Sequence, residues 1–387
     1  MAKWMILHVF GTAARRAAHV IRRGWVRALG GGSGSVADAV MPAAASASAP
    51  SWFGMRGLAG LRPLSGLVGI PSAGAATVAV TSAALVMRGL GASCAAIVAL
   101  NLVGFVITAT TRTHLITDLV GSFSFTAGAW VSLMVGSQAS GGLLCFRPVM
   151  MTLFATIWSF RLGGYLFYRI LKTHKDERFN SMFPESPEHP WTSDRLSRLA
   201  AFWMIQAFWG CVVLLPVTVV NSLPHAWHVA NPVRLPALLG LLLASSGLVL
   251  ESVADFQKDK FKSNPDNRDK FMTTGTYAAM RYPNYTGEIM VWWGVYVLGL
   301  PAALSSFGWY TIFSPLFTTL LLRYVTGIPL REARYERLFG DNLEYQEYKK
   351  RTNLLIPRLF EYRPIDKAGL PDGNEKPGYG GTDTTGK

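Results

Sequence analysis

The sequence contains few charged residues. Asp, Glu, Lys and Arg make up 16% of the 387 residues, whereas soluble domains carry about 25%. Hydrophobic residues make up 50%, and several apolar runs approach the length of about twenty residues with which a helix crosses a hydrocarbon core. This composition excludes an ordinary soluble globular domain and predicts a polytopic membrane protein.

Cysteine is scarce as well. Cys94, Cys145 and Cys211 lie in apolar surroundings, and none belongs to a CxxC pair or to a Cys/His spacing. We therefore expect three small core residues and no disulfide framework, metal site or nucleophilic thiol.

Common nucleotide-binding and hydrolase motifs are absent. Gly89-Leu90-Gly91 is followed by Cys94 where a dinucleotide fingerprint needs a third glycine, and no strand pattern precedes it. The GxSxG, HExxH and P-loop patterns do not occur. The sequence therefore predicts no Rossmann domain.

Acidic residues are fewer than basic ones. The 37 Lys and Arg residues against 23 Asp and Glu residues give a net charge of +14. No RNA-binding or DNA-binding module accompanies this charge, and the basic residues cluster in loops beside apolar spans. We expect them to follow the positive-inside tendency and to attract anionic headgroups or cofactors, with no nucleic-acid partner.

No acidic residue precedes Asp38. Residues 1–63 are basic and rich in Ala, Gly and Ser, which is typical of a transit peptide and equally of a disordered leader. A transit peptide would direct the chain to a mitochondrial or plastid membrane. We expect residues 64–362 to form the membrane domain and the polar, Gly-rich residues 363–387 to form a disordered tail.

The apolar runs predict an all-α bundle of about seven or eight transmembrane helices. Eight spans with a basic N-terminus inside place the Lys172–Arg198 loop, the Asp255–Arg281 loop and the tail from Arg323 on one membrane face. One face therefore carries most of the charge. The expected spans are Leu64–Met87, Ala92–Ala109, Asp118–Val135, Leu143–Ser159 with an amphipathic continuation to Leu171, Leu199–Val220, Pro232–Val253, Tyr285–Leu304 and Gly308–Val325.

A basic segment, DFQKDKFKSNPDNRDKF, begins where the sixth expected span ends. At helical spacing Asp255, Lys258 and Lys262 share one face, and Arg268 and Lys270 follow a proline. Such a cluster binds phosphates through charge-assisted hydrogen bonds. The alternative is a solvated loop that obeys the positive-inside rule.

The segment RYPNYTGE leads directly into a tryptophan-rich span. A helix that begins near Asn284 places Glu288 one turn further along the same face. A carboxylate at membrane depth is costly and points to function. The alternative is stabilisation of the helix N-terminus, but that role requires neither Asn284 nor the following Trp292 and Trp293.

The end of the fourth expected span carries a polar stripe. Arg161, Tyr165, Tyr168 and Arg169 recur at three-to-four spacing in an apolar segment. A buried tyrosine hydroxyl can polarise a carbonyl oxygen, which makes Tyr165 and Tyr168 candidate catalytic residues. The alternative is an anchor at the membrane interface.

A last candidate group follows Gly327 and Pro329. Glu332, Tyr335 and Glu336 share one face of the expected helix. An aromatic ring with carboxylates suits an adenine and its ribose, and the alternative is a peripheral helix on the membrane surface.

In this order, the segments resemble the steroid 5-alpha-reductase superfamily, most closely its bacterial-type and protist branch with the C-terminal reductase-like domain. The resemblance covers roughly residues 105–360. Tyr282 departs from the pattern, because the family usually has His there. The matching motifs are Arg161-Leu162-Gly163, Ala254-Asp255-Phe256-Gln257-Lys258, Asn267-Arg268, Lys270-Phe271, Asn284-Tyr285, Gly287-Glu288, Trp292-Trp293-Gly294, Ser314-Pro315-Leu316-Phe317, Gly327-Ile328-Pro329 and Pro357.

The resemblance implies a helix bundle in the endoplasmic reticulum membrane, with NADPH held by loops on the cytosolic face. It implies reduction of an activated C=C bond in a lipid substrate such as a 3-oxo-steroid or another enone. The resemblance places Glu251, Asp255 and Lys262 near the cofactor, Arg268 and Lys270 at its phosphates, Asn284 and Glu288 at its nicotinamide, and Tyr335 at its adenosine.

Two other functions fit the same segments. The first is an S-adenosylmethionine-dependent methyltransferase of the isoprenylcysteine type. The long basic segment Asp255–Phe271 argues against it, because such a segment favours a phosphate-rich cofactor. The second is a non-catalytic lipid-binding or sterol-binding membrane protein, which the departure at Tyr282 favours.

Overall fold

The computed structural model describes residues 73–173, 179, 182–183, 190–267, 269–306 and 308–357. The expected leader (1–63), the expected tail (363–387) and Arg268 lie outside these residues. The chain divides after Ala84 into two units. Of the first unit, the structure describes only residues 73–84, which form the start of a long helix. In the described residues the chain is helical, with one isolated parallel bridge between Met280 and Asn353 and no strand. The all-α fold class is confirmed.

The helices are numbered here in chain order. A 3-10 turn at Trp309–Ile312 precedes α11, and a π-helical turn at Leu321–Val325 separates α11 from α12. The α-helices are α1 (Ala73–Thr111), α2 (Thr117–Ala139), α3 (Phe146–Thr173), α4 (Ser193–Val213), α5 (Leu215–Ser222), α6 (His225–Ala230), α7 (Leu235–Ser263), α8 (Thr276–Ala279), α9 (Pro283–Leu298), α10 (Leu300–Ala303), α11 (Phe313–Leu320), α12 (Ile328–Phe339) and α13 (Leu343–Arg351).

Six helical stretches of the described chain are long and apolar enough to cross a membrane. The expected polytopic membrane bundle is therefore confirmed. The expected span Tyr285–Leu304 corresponds to the 16-residue α9, followed by the short α10. The six stretches are Thr81–Thr111, Thr117–Ala139, Phe146–Lys172, Ser193–Val213, Leu235–Ser263 and Trp309–Phe339.

The first two expected spans, Leu64–Met87 and Ala92–Ala109, were separated in error. Residues 88–91 lie inside the continuous helix α1, so this part of the eight-span count is wrong. A Cβ atom at Gly89 would lie 1.7 Å from the Ser222 hydroxyl oxygen. The glycine therefore permits close packing of α1 against the end of α5, as small residues do between membrane helices, and does not end the helix.

The expected span Leu199–Val220 is also not one helix. It divides into α4 and α5, and Pro216 lies in the first turn of α5. Proline has no N–H group to continue the hydrogen-bond ladder of a preceding helix, and it fits a first turn. The single-span prediction is wrong because Pro216 starts a new helix within the continuous apolar run.

Glycines bring α7 and α9 into backbone contact. A Cβ atom at Gly287 would lie 2.6 Å from the amide nitrogen of Glu251, and one at Gly294 would lie 2.4 Å from that of Ala244. Real Cβ atoms do not approach backbone so closely, so only glycine fits at these positions. This contact fixes Glu251 of α7 beside Glu288 of α9.

An aromatic cluster at the centre of the bundle joins α2, α3, α4 and α9. The Trp158 and Trp292 ring centroids lie 5.0 Å apart, and those of Phe125 and Trp209 lie 4.7 Å apart. Such edge-to-face pairs each contribute about 0.5–1.5 kcal/mol beyond the burial of area. The cluster holds together the helices that carry the polar residues of the candidate site.

The three cysteines are free and partly buried.

Candidate functional site

A cavity of about 540 Å³ opens between α3, α7, α9 and α12. This volume lies within the range of small-molecule sites, about 300–1,000 Å³. Most of the lining side chains are polar or charged, although the helices that carry them are largely apolar. The lining residues are Leu162, Tyr165, Leu166, Arg169, Lys172, Glu251, Asp255, Lys258, Asp259, Lys262, Asn284, Tyr285, Glu288 and Arg331.

An ion-pair cluster joins α3 to α7 beside the cavity. Arg161 contacts the buried Glu251 carboxylate, and its Nη1 atom lies 2.8 Å from Asp255 Oδ2. Glu251 and Asp255 are one helical turn apart, so one arginine reaches both. Burial makes such pairs sensitive to the loss of either partner. Arg161 therefore holds two carboxylates at fixed positions.

Unpaired acceptor atoms lie at the deep end of the cavity. Asn284 Oδ1 and Glu251 Oε2 are both buried and make no hydrogen bond. Glu288 follows Asn284 by one turn on α9 and lines the cavity with it, as the sequence spacing predicted. Buried polar atoms are normally satisfied, so these oxygens fit a ligand that donates hydrogen bonds.

Cations lie toward the surface end of the same cavity. Lys258 and Lys262 belong to the last turns of α7, and Arg331 comes from α12. The described ion pairs include none of these three residues. Lys262 is eleven residues beyond Glu251, about 16 Å along the helix axis. The cavity therefore carries mainly acidic residues around Glu251 and Glu288, and at the other end Lys258, Lys262 and Arg331 outnumber Asp259.

A small aromatic pocket of about 30 Å³ adjoins the cavity and shares Lys258 and Lys262 with it. The hydroxyl of Tyr348 donates a hydrogen bond of 2.7 Å to the carbonyl oxygen of Tyr277. Burial raises the pKa of both tyrosines above the usual value, so both hydroxyls stay protonated at neutral pH. The pocket therefore offers aromatic rings and hydroxyl groups beside two cations.

Tyr282, which departs from the motif that the sequence resembles, lines this aromatic pocket. Its hydroxyl donates a hydrogen bond of 2.5 Å to Glu332 Oε1, and Arg281 Nη1 lies 3.0 Å from the other oxygen of that carboxylate. Its ring stacks on Tyr285 with 5.7 Å between centroids. Burial, with the neighbouring Glu332, raises the pKa of Tyr282. Tyr282 thus supports Tyr285, which lines the main cavity.

The structure brings together six of the predicted site residues in the main cavity: Tyr165, Glu251, Asp255, Lys262, Asn284 and Glu288. Lys270 and Tyr335 line the adjoining aromatic pocket. Tyr168 does not line either space. Its side chain is 52% exposed, and Lys172 Nζ lies 5.8 Å from its ring centroid. Only one of the two candidate tyrosines therefore faces the site.

Some lining residues were not among the predicted site residues. Arg331 precedes Tyr335 by four positions, so the spacing that places Tyr335 on a helix face also indicates Arg331. Asp259 follows Asp255 at the same spacing on α7. Tyr285 has no such periodic signal in the sequence. It lines the cavity with its ring stacked on Tyr282.

A family model described as "Protein of unknown function (DUF1295)" matches residues 104–352. The chain belongs to this family. The DUF1295 match contains all the residues that line the cavity and the aromatic pocket. The curated proteins and the solved structures contain no match to the chain. DUF1295 membership assigns no reaction, and the relation to the steroid 5-alpha-reductases stays a prediction from the motifs.

Proposed function

We propose that the protein is an NADPH-dependent reductase of an activated carbon–carbon double bond in a lipid, such as a 3-oxo-steroid or another enone. One observation carries the proposal: the cavity between α3, α7, α9 and α12 has buried acceptor oxygens without hydrogen-bond partners toward one end and three cations outside the described ion pairs toward the other. The proposal places this reaction at the boundary between the membrane and the cytosol.

The basic end fits the phosphates of the cofactor. Lys258 and Lys262 are point charges, and Arg331 offers a planar fork of donors for phosphate oxygens. A surplus of cations favours NADPH over NADH, because the 2′-phosphate adds negative charge. The adenosine end would then reach toward the aromatic pocket, where Tyr335 lies.

The deep end fits the nicotinamide. A carboxamide NH₂ group donates two hydrogen bonds, and Asn284 Oδ1 and Glu251 Oε2 are acceptors without partners. Glu288 adds a third carboxylate or carboxyl group at this end. In this arrangement, Arg161 keeps Glu251 and Asp255 in place without itself lining the cavity.

NADPH, when bound, supplies the hydride that reduces the β-carbon of the enone. Tyr165 lines the cavity one turn beyond Arg161 on α3, and its hydroxyl is suited to donate a hydrogen bond to the substrate carbonyl oxygen. This hydrogen bond stabilises the negative charge that develops on that oxygen. Protonation of the α-carbon completes the reduction.

The apolar part of the cavity suits a lipid. Leu162 and Leu166 line it from α3, beside the charged residues. On the same helix Ile157 and Phe160 are exposed in the described chain, at positions that a membrane would cover. A substrate that arrives from the bilayer would therefore meet apolar side chains first.

Ligand-dependent thermal stability of the purified full chain in detergent tests the proposal. We expect NADPH to raise the melting temperature more than NADH does, and Glu288→Gln to lose this effect. Glu344→Gln is the matched control, because Glu344 is a partly exposed residue in the first turn of α13 and lines neither space.

Two results would contradict the proposal. Stabilisation by S-adenosylmethionine in place of NADPH would assign the chain to the methyltransferases. No response to any of the three compounds would favour a non-catalytic lipid-binding protein. With NADPH binding established, NADPH oxidation in the presence of enone lipids measures the reaction itself.

A further inference from the structure

A second cavity, of about 280 Å³, lies at the other end of α7. Pro236 in the first turn of α7 lines it, whereas Asp255 near the last turns lines the first cavity. Asp255 is nineteen positions beyond Pro236, about 30 Å along the helix axis. The second cavity therefore faces the opposite side of the bundle and takes no part in the proposed reductase site.

Arg147 lines this cavity and is 2% exposed. Its guanidinium donates to three backbone carbonyl oxygens: Nε to Leu298 at 3.0 Å, Nη1 to Asn231 at 2.9 Å and Nη2 to Pro232 at 3.2 Å. The acceptors are all uncharged, and the described ion pairs do not include Arg147. A guanidinium has five N–H groups, so these bonds leave one on each Nη atom.

A buried cation without a counter-ion is costly, and the nearby sequence supplies none. No Asp or Glu occurs in residues 119–175, 195–250 or 289–331, which contain every segment at this end of the bundle from α2 to α11. A second cation, Arg234, also lines the cavity, directly before α7. The positive end of the α7 dipole adds to this charge, because no acidic residue lies in its first turn.

The rest of the lining is largely apolar and reaches the outer surface of the bundle. Leu300, Pro301 and Leu304 come from the segment after α9, and Leu304 is 78% exposed. A small hydrated anion would leave these side chains without a partner. An anion attached to an acyl chain would satisfy both parts of the cavity.

We propose that this cavity binds the phosphate group of an anionic phospholipid. Arg147 and Arg234 hold the phosphate oxygens through charge-assisted hydrogen bonds. The acyl chains lie along Leu300 and Leu304 and continue into the bilayer.

Lipid binding to the full chain in a neutral detergent tests this site, with phosphatidylglycerol, phosphatidylcholine and inorganic phosphate as probes. Native mass spectrometry counts the bound molecules, and titration gives the dissociation constant of each. We expect one phosphatidylglycerol molecule to bind more tightly than phosphatidylcholine. Arg234→Gln should weaken it about tenfold, the loss of one charge-assisted hydrogen bond.

Arg88→Gln is the matched control. Arg88 is an exposed arginine on α1 next to Gly89, which packs on the end of α5, and it does not line the cavity. Equal binding of the two lipids would overturn the proposal, as would equal effects of Arg234→Gln and Arg88→Gln. Inorganic phosphate that binds as tightly as phosphatidylglycerol would overturn the assignment to a lipid.

Discussion

The hydroxyl of Tyr282 and the carboxylate of Glu332 form a 2.5 Å hydrogen bond that joins the start of α9 to α12. Arg281 binds the second oxygen of the same carboxylate. Tyr282 departs from the reductase motif that the sequence resembles, and it is part of the scaffold around the cavity without lining the main cavity itself.

Tyr282→Phe should lower stability. The substitution removes one donor from the Glu332 carboxylate and keeps the ring stack on Tyr285, so we expect the free energy of unfolding to fall by about 1–3 kcal/mol. Thermal unfolding in detergent measures the change. Tyr324→Phe, at a half-exposed tyrosine, should have little effect, and an equal loss in both variants would contradict the role of the hydrogen bond.

Lys262→Gln should weaken NADPH binding about tenfold, because a phosphate would lose one charge-assisted contact. The effect should shrink at high salt, because screening already weakens the contact in the unmodified protein. Lys260→Gln is the control on the same helix, since Lys260 is exposed and lines neither space. Calorimetric titration at two salt concentrations compares the variants. Similar NADPH affinities of the Lys262→Gln and Lys260→Gln variants would show that net charge determines binding and that the cavity does not.

Gly294→Ala should destabilise the bundle. The new Cβ atom would lie 2.4 Å from the amide nitrogen of Ala244, and such overpacking costs about 1–3 kcal/mol. Gly164→Ala is the opposite case, because no atom lies within 4 Å of a Cβ at that helical position. We expect it to be neutral or stabilising. The two melting temperatures should therefore move apart, and a common direction of change would be inconsistent with the glycine contact.

His228 should make stability depend on pH at the far end of the bundle. Burial, followed by the positive charge of Arg147, lowers the pKa of His228 to about 4. The unfolded state then binds more protons than the folded state below pH 6.5, so stability falls as the pH drops from 6.5 toward 4. Between pH 7.5 and pH 5 the loss should be about 2 kcal/mol.

His228→Gln should reduce this pH dependence, while His225→Gln should leave it in place. Thermal unfolding at pH 7.5, 6 and 5 measures all three proteins. An unchanged pH profile in His228→Gln would assign the dependence to other groups.

Local periodicity accounts for the part of the site that could be predicted from the sequence. The three-to-four spacing of Asp255, Lys258 and Lys262 placed them on one face of α7, and the proline before Asn284 placed the start of α9. Both features depend on backbone geometry within one helix. Neighbouring residues therefore suffice to predict them.

The remaining features depend on contacts between helices. Gly89 looks like an interruption until its packing against Ser222 is known. Tyr165 and Tyr168 have equivalent signals in the sequence, and only the positions of α7 and α9 decide that Tyr165 faces the cavity. The second cavity brings Arg147 and Arg234 together, although 86 other residues separate them in the chain.

The glycine contact between α7 and α9 also restricts how a ligand enters. Two helices whose backbones touch cannot separate or slide without losing that fit, so this wall of the cavity is rigid. The opposite wall includes α12, which follows a π-helical turn and Gly327. Opening must therefore involve α12 or α3, and a cross-link between α7 and α9 should leave ligand exchange unimpeded.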